Sequence, residues 1–538
     1  MSIAALLVLA ACGGDTGNEP APKPQEDPDA AGSPTSEPMP SLTPTPTATR
    51  LAWGPTEEQY AEAQELVAAM SVEERAGQVI IARFGGTAAP VELVNRLHLG
   101  GVIVMADNVE SSDQVHTLID DLDSANARPF PLIVGVDQEG GRVARIGPPA
   151  TEFPSLMVLG AAGSPELAAD VARASGTELR ALGFTMVFAP DADVTSGPDD
   201  PTIGSRSASS DSELVADIVT GALRGYAEAG IIAVPKHFPG HGSVPADSHE
   251  ELPVQDATLA ELFERDLVPF RAAVDAGAPA MMMAHIDVTA VDSGVPSSLS
   301  APIVELLRDE LGFAGVVMTD AQEMAAVAER YSSAEAAVTA LNAGEDIVLM
   351  PQDVDAAHAG IVAAVADGGL DASRLEEAAT RVVALMLHQA EIGEPAPGMD
   401  LVGSHEDVSY QASLGGLTVV AGPCDGPLVG DAIVIEGGSA MDRERFAAAA
   451  QDAGLGVGSG DVVRLLGALP PVPGTGDVVV SLDTPHALGE SSASTAKIAL
   501  YGRTPSSFRA LVDVLLGDAR GGGQLPVDVP GVDRAGCS

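Results

Sequence analysis

The sequence predicts an α/β protein, a TIM-like (β/α)₈ barrel followed by a smaller α/β sheet domain. Three observations carry this. Eight short apolar runs alternate with helical patterns between about residues 51 and 395. Five successive runs end in ionisable residues, as strands feeding one polar rim would. From about 396 the strand and helix pattern restarts on a smaller scale. A doubly wound open sheet is the structural alternative.

The chain opens with an apolar run, Ala4 to Ala11, closed by Leu9-Ala10-Ala11-Cys12. A bilayer span needs about 20 residues, so a run this short reads as an export signal. The Leu-Ala-Ala-Cys block resembles a bacterial lipobox, although Met1-Ser2-Ile3 supply no basic residue. That resemblance implies a signal over 1–12, a lipid on Cys12, and an extracytoplasmic protein tethered to the cell membrane. Residues 13–50 are rich in Pro, Thr, Ser and acidic residues. They have too little apolar area to offset ordering entropy, and predict an extended tether.

The barrel is expected over 51–395. Its strand candidates are 79–84, 102–105, 132–136, 185–189, 231–235, 280–284, 316–319 and 347–350. Helical patterns cover 113–125, 165–182, 212–229, 259–276 and 302–311. Strand ends carry Asp137, then Asp191 and Asp193, then Lys236-His237, then His285-Ile286-Asp287, then Thr319-Asp320. One such residue is commonly a helix cap. Five on one rim predict a polar pocket with acid and base groups, suited to a hydroxyl-rich substrate.

Composition narrows the partner. Lys and Arg total 27 against 77 Asp and Glu, a net charge of −50, which argues against nucleic acid. Lysine occurs only at 23, 236 and 497, so Lys236 inside a motif stands out. The three cysteines, Cys12, Cys424 and Cys537, lack the spacing of a zinc site. Cys424 and Cys537 could pair in an oxidising compartment.

The segment from Pro235 to His249 (PKHFPGHGSVPADSH) has too much Gly and Pro for a helix and predicts a long loop after the fifth strand. Asp247 and His249 are two apart, so their side chains can meet in a turn. A carboxylate on one ring nitrogen fixes the tautomer and raises imidazole basicity, leaving the other nitrogen to carry a proton. Metal binding by His237, His241 and His249 is the competing reading, but the spacing fits no familiar ligand pattern. No metal and no cofactor are expected.

Four motifs together resemble glycoside hydrolase family 3, in its bacterial β-N-acetylglucosaminidase branch. They are Lys236–His249, Gly135–Arg145 (GVDQEGGRVAR), Thr202–Ser207 (TIGSRS) and Leu311–Asp320 (LGFAGVVMTD). The resemblance implies Asp320 as nucleophile and His249, partnered by Asp247, as general acid/base. It implies Asp137, Arg145, Arg206, Lys236 and His237 as the groups that hold the sugar. The implied reaction is retaining hydrolysis of terminal β-linked N-acetylglucosamine from peptidoglycan-derived or related glycans. Alternatives are β-glucoside hydrolysis, phosphorolysis with phosphate as acceptor, a non-catalytic glycan-binding lipoprotein, and a metal-dependent hydrolase. Glu323, three residues past Asp320, is a second carboxylate to consider, and is expected to start the next helix.

The remaining chain, 396–538, predicts strands at 418–421, 432–436, 477–482 and 497–501, with helices at 441–453 and 506–516. Its end resembles the second domain of two-domain family members. No acid/base set stands out in it, so packing or substrate binding is the expected role. Gly521-Gly522-Gly523 reads as a turn rather than a phosphate loop.

Overall fold

The computed structural model describes residues 49–468 and 471–532. Cys12, the signal and nearly all of the tether lie outside the described residues, as does Cys537. Cys424 is disulfide-bonded. Among the described residues no helix is long and apolar enough to cross a membrane.

Eight parallel strands close a barrel. They are β1 (Ile80–Ala82), β2 (Gly101–Val104), β3 (Ile133–Val136), β4 (Met186–Val187), β5 (Ile232–Ala233), β6 (Ala280–Met283), β7 (Val316–Thr319) and β8 (Val348–Leu349). The ladder runs β8-β1-β2-β3-β4-β5, and β6 pairs with β7. Parallel bridges from Phe238 to Met283 and from Met318 to Ile347 join the two sets into a ring. The strands are short because most carry few residues before turning out to a loop. They are buried on both faces, which explains their continuous apolar runs.

The helices between the strands follow from local sequence. In Pro165–Leu182, Ser164 accepts the Leu167 N–H, Pro165 fills the first turn, and Gly183 ends the helix at φ +100°. In Ser212–Ala229, Asp211 caps the start and Gly230 ends the helix in the left-handed region. One expectation needs correcting. The pattern over 259–276 forms two helices, Leu259–Glu264 and Val268–Asp275. Pro269 has no N–H to give and its ring would clash with the Arg265 carbonyl, so the chain breaks at Arg265.

The C-terminal sheet is mostly parallel. Its strands are β9 (Thr418–Ala421), β10 (Ala432–Gly437), β11 (Gly456–Val457), β12 (Asp461–Leu466), β13 (Thr475–Ser481) and β14 (Ser492–Ala499), in the order β9-β14-β13-β12-β10-β11. Only β9 runs antiparallel to its neighbour. The sequence pattern missed β11 and β12. Asp461 and Arg464 interrupt the apolar run of β12, and β11 has only two residues. A separate core centred on Phe446, stacked on Phe508 at 5.7 Å, fills this domain.

The two domains are joined by polar contacts, most of them buried. Ser155 Oγ donates to the Tyr501 carbonyl at 2.7 Å, and Ser209 Oγ to the Pro526 carbonyl at 2.5 Å. Arg445 pairs with Glu152 at 2.7 Å. Ser209 lies just beyond the loop that carries Arg206, so the second domain braces a loop of the barrel rim.

Asp346, just ahead of β8, anchors three helix-borne arginines. Arg308 and Arg374 approach at 2.6 Å and Arg381 at 3.2 Å, and the Val317 N–H donates to it at 3.1 Å. Burial raises the pKa of this carboxyl, but the three guanidiniums outweigh it and hold it below the usual range. A depressed folded pKa means its stabilisation is present at neutral pH and is lost as pH falls through that value. Asp346→Asn is expected to cost about 3–5 kcal/mol, because it leaves buried arginines uncompensated. Urea unfolding of the two proteins at pH 7 measures this, and the gap should narrow in acid.

Candidate active site

The C-terminal ends of the strands supply the polar residues of one cavity of about 390 Å³. Asp137, Arg145, Arg206, Lys236, His237, Asp247, His249 and Asp320 all line it. These eight residues, named from the sequence for catalysis and sugar binding, therefore share one cavity.

The centre of the cavity wall is an ion-pair network. Lys236 follows β5 and is buried. Its Nζ donates to Asp137 Oδ1 at 2.7 Å and lies 2.7 Å from Glu139 Oε1. Glu139 accepts a two-pronged pair from Arg206 Nε and Nη2, each at 2.9 Å. Arg145 Nη2 sits 3.6 Å from Asp137 Oδ2. Burial alone would raise the pKa of Glu139, but Arg206 and Lys236 more than offset it and hold the carboxyl far below the usual range. Burial lowers that of Lys236, but Asp137 and Glu139 raise it overall. Glu139 is thus held ionised between Arg206 and Lys236, a charge-assisted set of hydrogen bonds facing the cavity. The sequence motif around Glu139 assigns it no role of its own; its place two residues past the rim aspartate Asp137 is the available signal.

Asp320 follows β7. Its N–H is held by the Met283 carbonyl at 2.9 Å, and its Oδ1 accepts the Ala321 N–H at 2.7 Å. Oδ2 accepts no hydrogen bond from the described residues. Burial raises its pKa, but His237, His285, the Ala321 N–H and Lys236 outweigh it and place it at about 2. Asp320 is therefore a carboxylate at any pH near neutral. His285, expected on the rim, lies beneath it instead: Nδ1 meets Ser298 Oγ at 2.7 Å and Nε2 meets the Ala321 carbonyl at 3.0 Å. It props the Asp320–Ala321 turn.

The Asp247–His249 loop lies over the mouth. His249 Nδ1 meets Asp247 Oδ1 at 2.7 Å, and the same oxygen accepts the His249 N–H at 2.9 Å. Burial raises the pKa of Asp247, while these bonds and the imidazole lower it overall. The His249 side chain is 65% exposed, and its Nε2 is left to meet a ligand. The loop is tied at one end by Thr202 Oγ1 to the Ala246 carbonyl at 3.5 Å. At the other the Ala326 N–H reaches the Ser248 carbonyl at 3.3 Å.

Some rim residues sit elsewhere than expected. Asp287 accepts the Gly294 N–H at 2.9 Å and does not line the cavity. Asp191 and Asp193 lie behind the wall, buried. Glu323 does not start a helix; it sits in the turn before Ala325–Ala328, where Met324 is the cap. It lines the cavity and pairs with Arg83 at 2.9 Å. His237, His241 and His249 do not form a ligand set. His241 is buried against Ser248 Oγ at 2.8 Å, whereas His249 is exposed. Among the described residues only Asp191, Asp193 and His237 bring three donor atoms close enough for a cation.

A family model for the glycosyl hydrolase family 3 N-terminal domain matches residues 71–385. The chain belongs to glycosyl hydrolase family 3. The match spans the barrel and every rim residue above. Beta-hexosaminidase A of Pseudoalteromonas piscicida is 38% identical over 280 residues, 48% of this chain and 47% of that protein. The chain thus spans about half the length of that relative. Beta-hexosaminidase LpqI of Mycobacterium tuberculosis is 32% identical over 349 residues, 62% of this chain and 87% of that one. A family 3 beta-N-acetylglucosaminidase from Paenibacillus sp. str. FPU-7 superposes with a TM-score of 0.77 at 30% identity. It covers 86% of this chain and 99% of its own. That likeness extends over both domains of the α/β fold.

Proposed function

We propose that this family 3 glycoside hydrolase is a retaining exo-β-N-acetylglucosaminidase acting on peptidoglycan-derived or related glycans. One observation carries the reading. The Asp247–His249 pair, at 2.7 Å, lies at the mouth of the cavity that Asp320 lines. A proton donor and a carboxylate on one cavity are what glycoside cleavage through a covalent intermediate needs.

The steps follow from the geometry. Asp320 Oδ2 attacks the anomeric carbon while His249 Nε2–H gives its proton to the departing oxygen. The glycosyl ester of Asp320 is then hydrolysed by water, with His249 taking the water proton back. Asp137, Glu139, Arg206 and Lys236 orient the ring hydroxyls. Named relatives of 32–38% identity and a solved structure of the same activity support N-acetylglucosamine as the sugar.

The test is turnover of aryl β-N-acetylglucosaminide against aryl β-glucoside, with product analysis with and without phosphate. Release of free N-acetylglucosamine from the first substrate alone supports the reading. Glucoside turnover alone, or a sugar phosphate as product, replaces it with one of the family's other activities.

For location, we propose a lipoprotein on the outer side of the cell membrane, acylated at Cys12. The Leu9–Cys12 block and the Cys424 disulfide support it, since disulfides persist in oxidising compartments. Mass spectrometry of the mature N-terminus tests it: a diacylglyceryl cysteine at 12 is expected, and an unmodified Met1 overturns it.

A further inference from the structure

Behind the cavity wall lies a cluster that the reaction as written does not use. Asp193 is fully buried, and its Oδ2 lies 2.7 Å from His237 Nδ1. Its Oδ1 accepts the backbone N–H of His237 at 3.4 Å and of His241 at 2.5 Å. On the other side of the ring, Arg206 Nη2 reaches His237 Nε2 at 3.3 Å. A guanidinium only donates, so Nε2 must be the bare nitrogen and Nδ1 must carry the proton. Asp193 Oδ2 is then the acceptor of that proton. The tautomer is set by the hydrogen-bond partners on both faces of the ring.

This arrangement also decides how the three-donor cluster is used. A cation between Asp191, Asp193 and His237 would have to displace the 2.7 Å hydrogen bond. It would also face Arg206, which stands 3.5 Å from Asp191 Oδ2. Asp193 already has both oxygens engaged. The cluster is occupied by its own hydrogen bonds.

We propose that Asp193 is a positioning residue that locks His237 as the Nδ1–H tautomer, so that Nε2 meets the substrate as an acceptor for a sugar hydroxyl. Arg206 retains Glu139 through two 2.9 Å bonds, so it can release its longer contact to Nε2 when a hydroxyl arrives. His237 lines the cavity and is neutral, because burial and then Arg206 lower its pKa to about 4. An imidazolium in its place would offer only donors. The wall would then have no neutral acceptor beside Lys236 and Arg206. This rests on the sugar-binding reading of the cavity.

The variant Asp193→Asn tests it. Asparagine keeps the shape, and its Oδ1 keeps the two backbone N–H bonds. Its amide now donates to Nδ1, which moves the ring proton to Nε2 and sets it against the Arg206 donor. Nitrogen-15 NMR of histidine-labelled protein, assigned with His237→Gln, reads the tautomer directly and needs no turnover. The wild type should show a protonated Nδ1 and a bare Nε2, and D193N the reverse. D193N should lower kcat/KM for aryl β-N-acetylglucosaminide by roughly 10–100-fold, as loss of an orienting partner does. In the double variant with H237Q it should add little, because Asp193 acts through His237. A wild-type ring protonated at Nε2, or additive losses, overturns the proposal whatever the substrate. So does one equivalent of bound metal in the purified wild type that D193N lacks. A locked Nδ1–H tautomer in an enzyme without β-N-acetylglucosaminidase activity would instead count against the proposed function alone.

Discussion

Asp320→Asn should abolish turnover while leaving the fold intact, with kcat on an aryl β-N-acetylglucosaminide reduced by roughly 10⁴-fold or more. The size follows from what the residue does. A neutral amide cannot supply the electron pair that forms the glycosyl ester, so no partial version of the step survives. The fold should tolerate the change for equally local reasons. Asn is nearly isosteric, and its Oδ1 still accepts the Ala321 N–H that holds Asp320 at 2.7 Å. Stopped-flow kinetics with a dinitrophenyl leaving group should show a burst of phenol for the wild type if glycosyl-ester hydrolysis is rate-limiting, and none for the variant. Thermal unfolding should change little. A variant with kcat within tenfold of wild type would remove Asp320 as nucleophile and return Glu323, another carboxylate lining the cavity, to consideration. Glu323 is engaged by Arg83 at 2.9 Å, which already makes it the poorer candidate.

Much of this architecture was readable because parallel barrels write themselves plainly. Their strands are buried on both sides, so Val316–Thr319 or Ile133–Val136 appears as an uninterrupted apolar run, and the next residue outward is Asp320 or Asp137. The Ser-Pro and Gly punctuation of Pro165–Leu182 gave both of its ends. What the pattern hid were places where tertiary contacts decide. Asp461 and Arg464 broke the apolar run of an inner strand of the second sheet, where β12 is held by pairing on both sides rather than by its own composition. Pro269 split a helix whose apolar periodicity is otherwise continuous.

The site shows the same division. Residues that stand at strand ends were visible as a set. Their partnerships were not, because they join positions far apart in the chain. Arg206 meets Glu139 across 67 residues, and His237 meets Asp193 across 44. Asp193 stands at a strand end and Glu139 beside one, yet neither carries a local mark of its partner. His285 is the converse case. Its position implied a rim group, yet it is buried beneath the rim with both nitrogens bonded. Only the packing of the Ser298 loop under β6 reveals that.

His249→Gln tests the other half of the chemistry, and its effect should depend on the substrate rather than on the enzyme's stability. The side chain is mostly exposed and bonds only to Asp247, so its loss should move unfolding by no more than about 0.5 kcal/mol. Proton donation to a poor leaving group is worth roughly 10²–10⁴-fold, about 3–5 kcal/mol of barrier. With an alkyl or sugar leaving group, kcat/KM should fall by that factor. With a dinitrophenyl group, whose oxygen departs without a proton, the first step should be nearly normal. The deficit then moves to hydrolysis of the glycosyl ester, where His249 would have acted as base, and an early burst should be followed by slow turnover. Asp247→Asn should give the same pattern more weakly, because it disturbs the orientation of the ring but leaves its nitrogen in place. The limb of the pH profile that reports the Asp247–His249 pair should vanish in His249→Gln and shift in Asp247→Asn. Equal losses on good and poor leaving groups would show that His249 binds the sugar rather than carrying its proton. The acid would then have to be sought among the groups facing the mouth from the opposite wall.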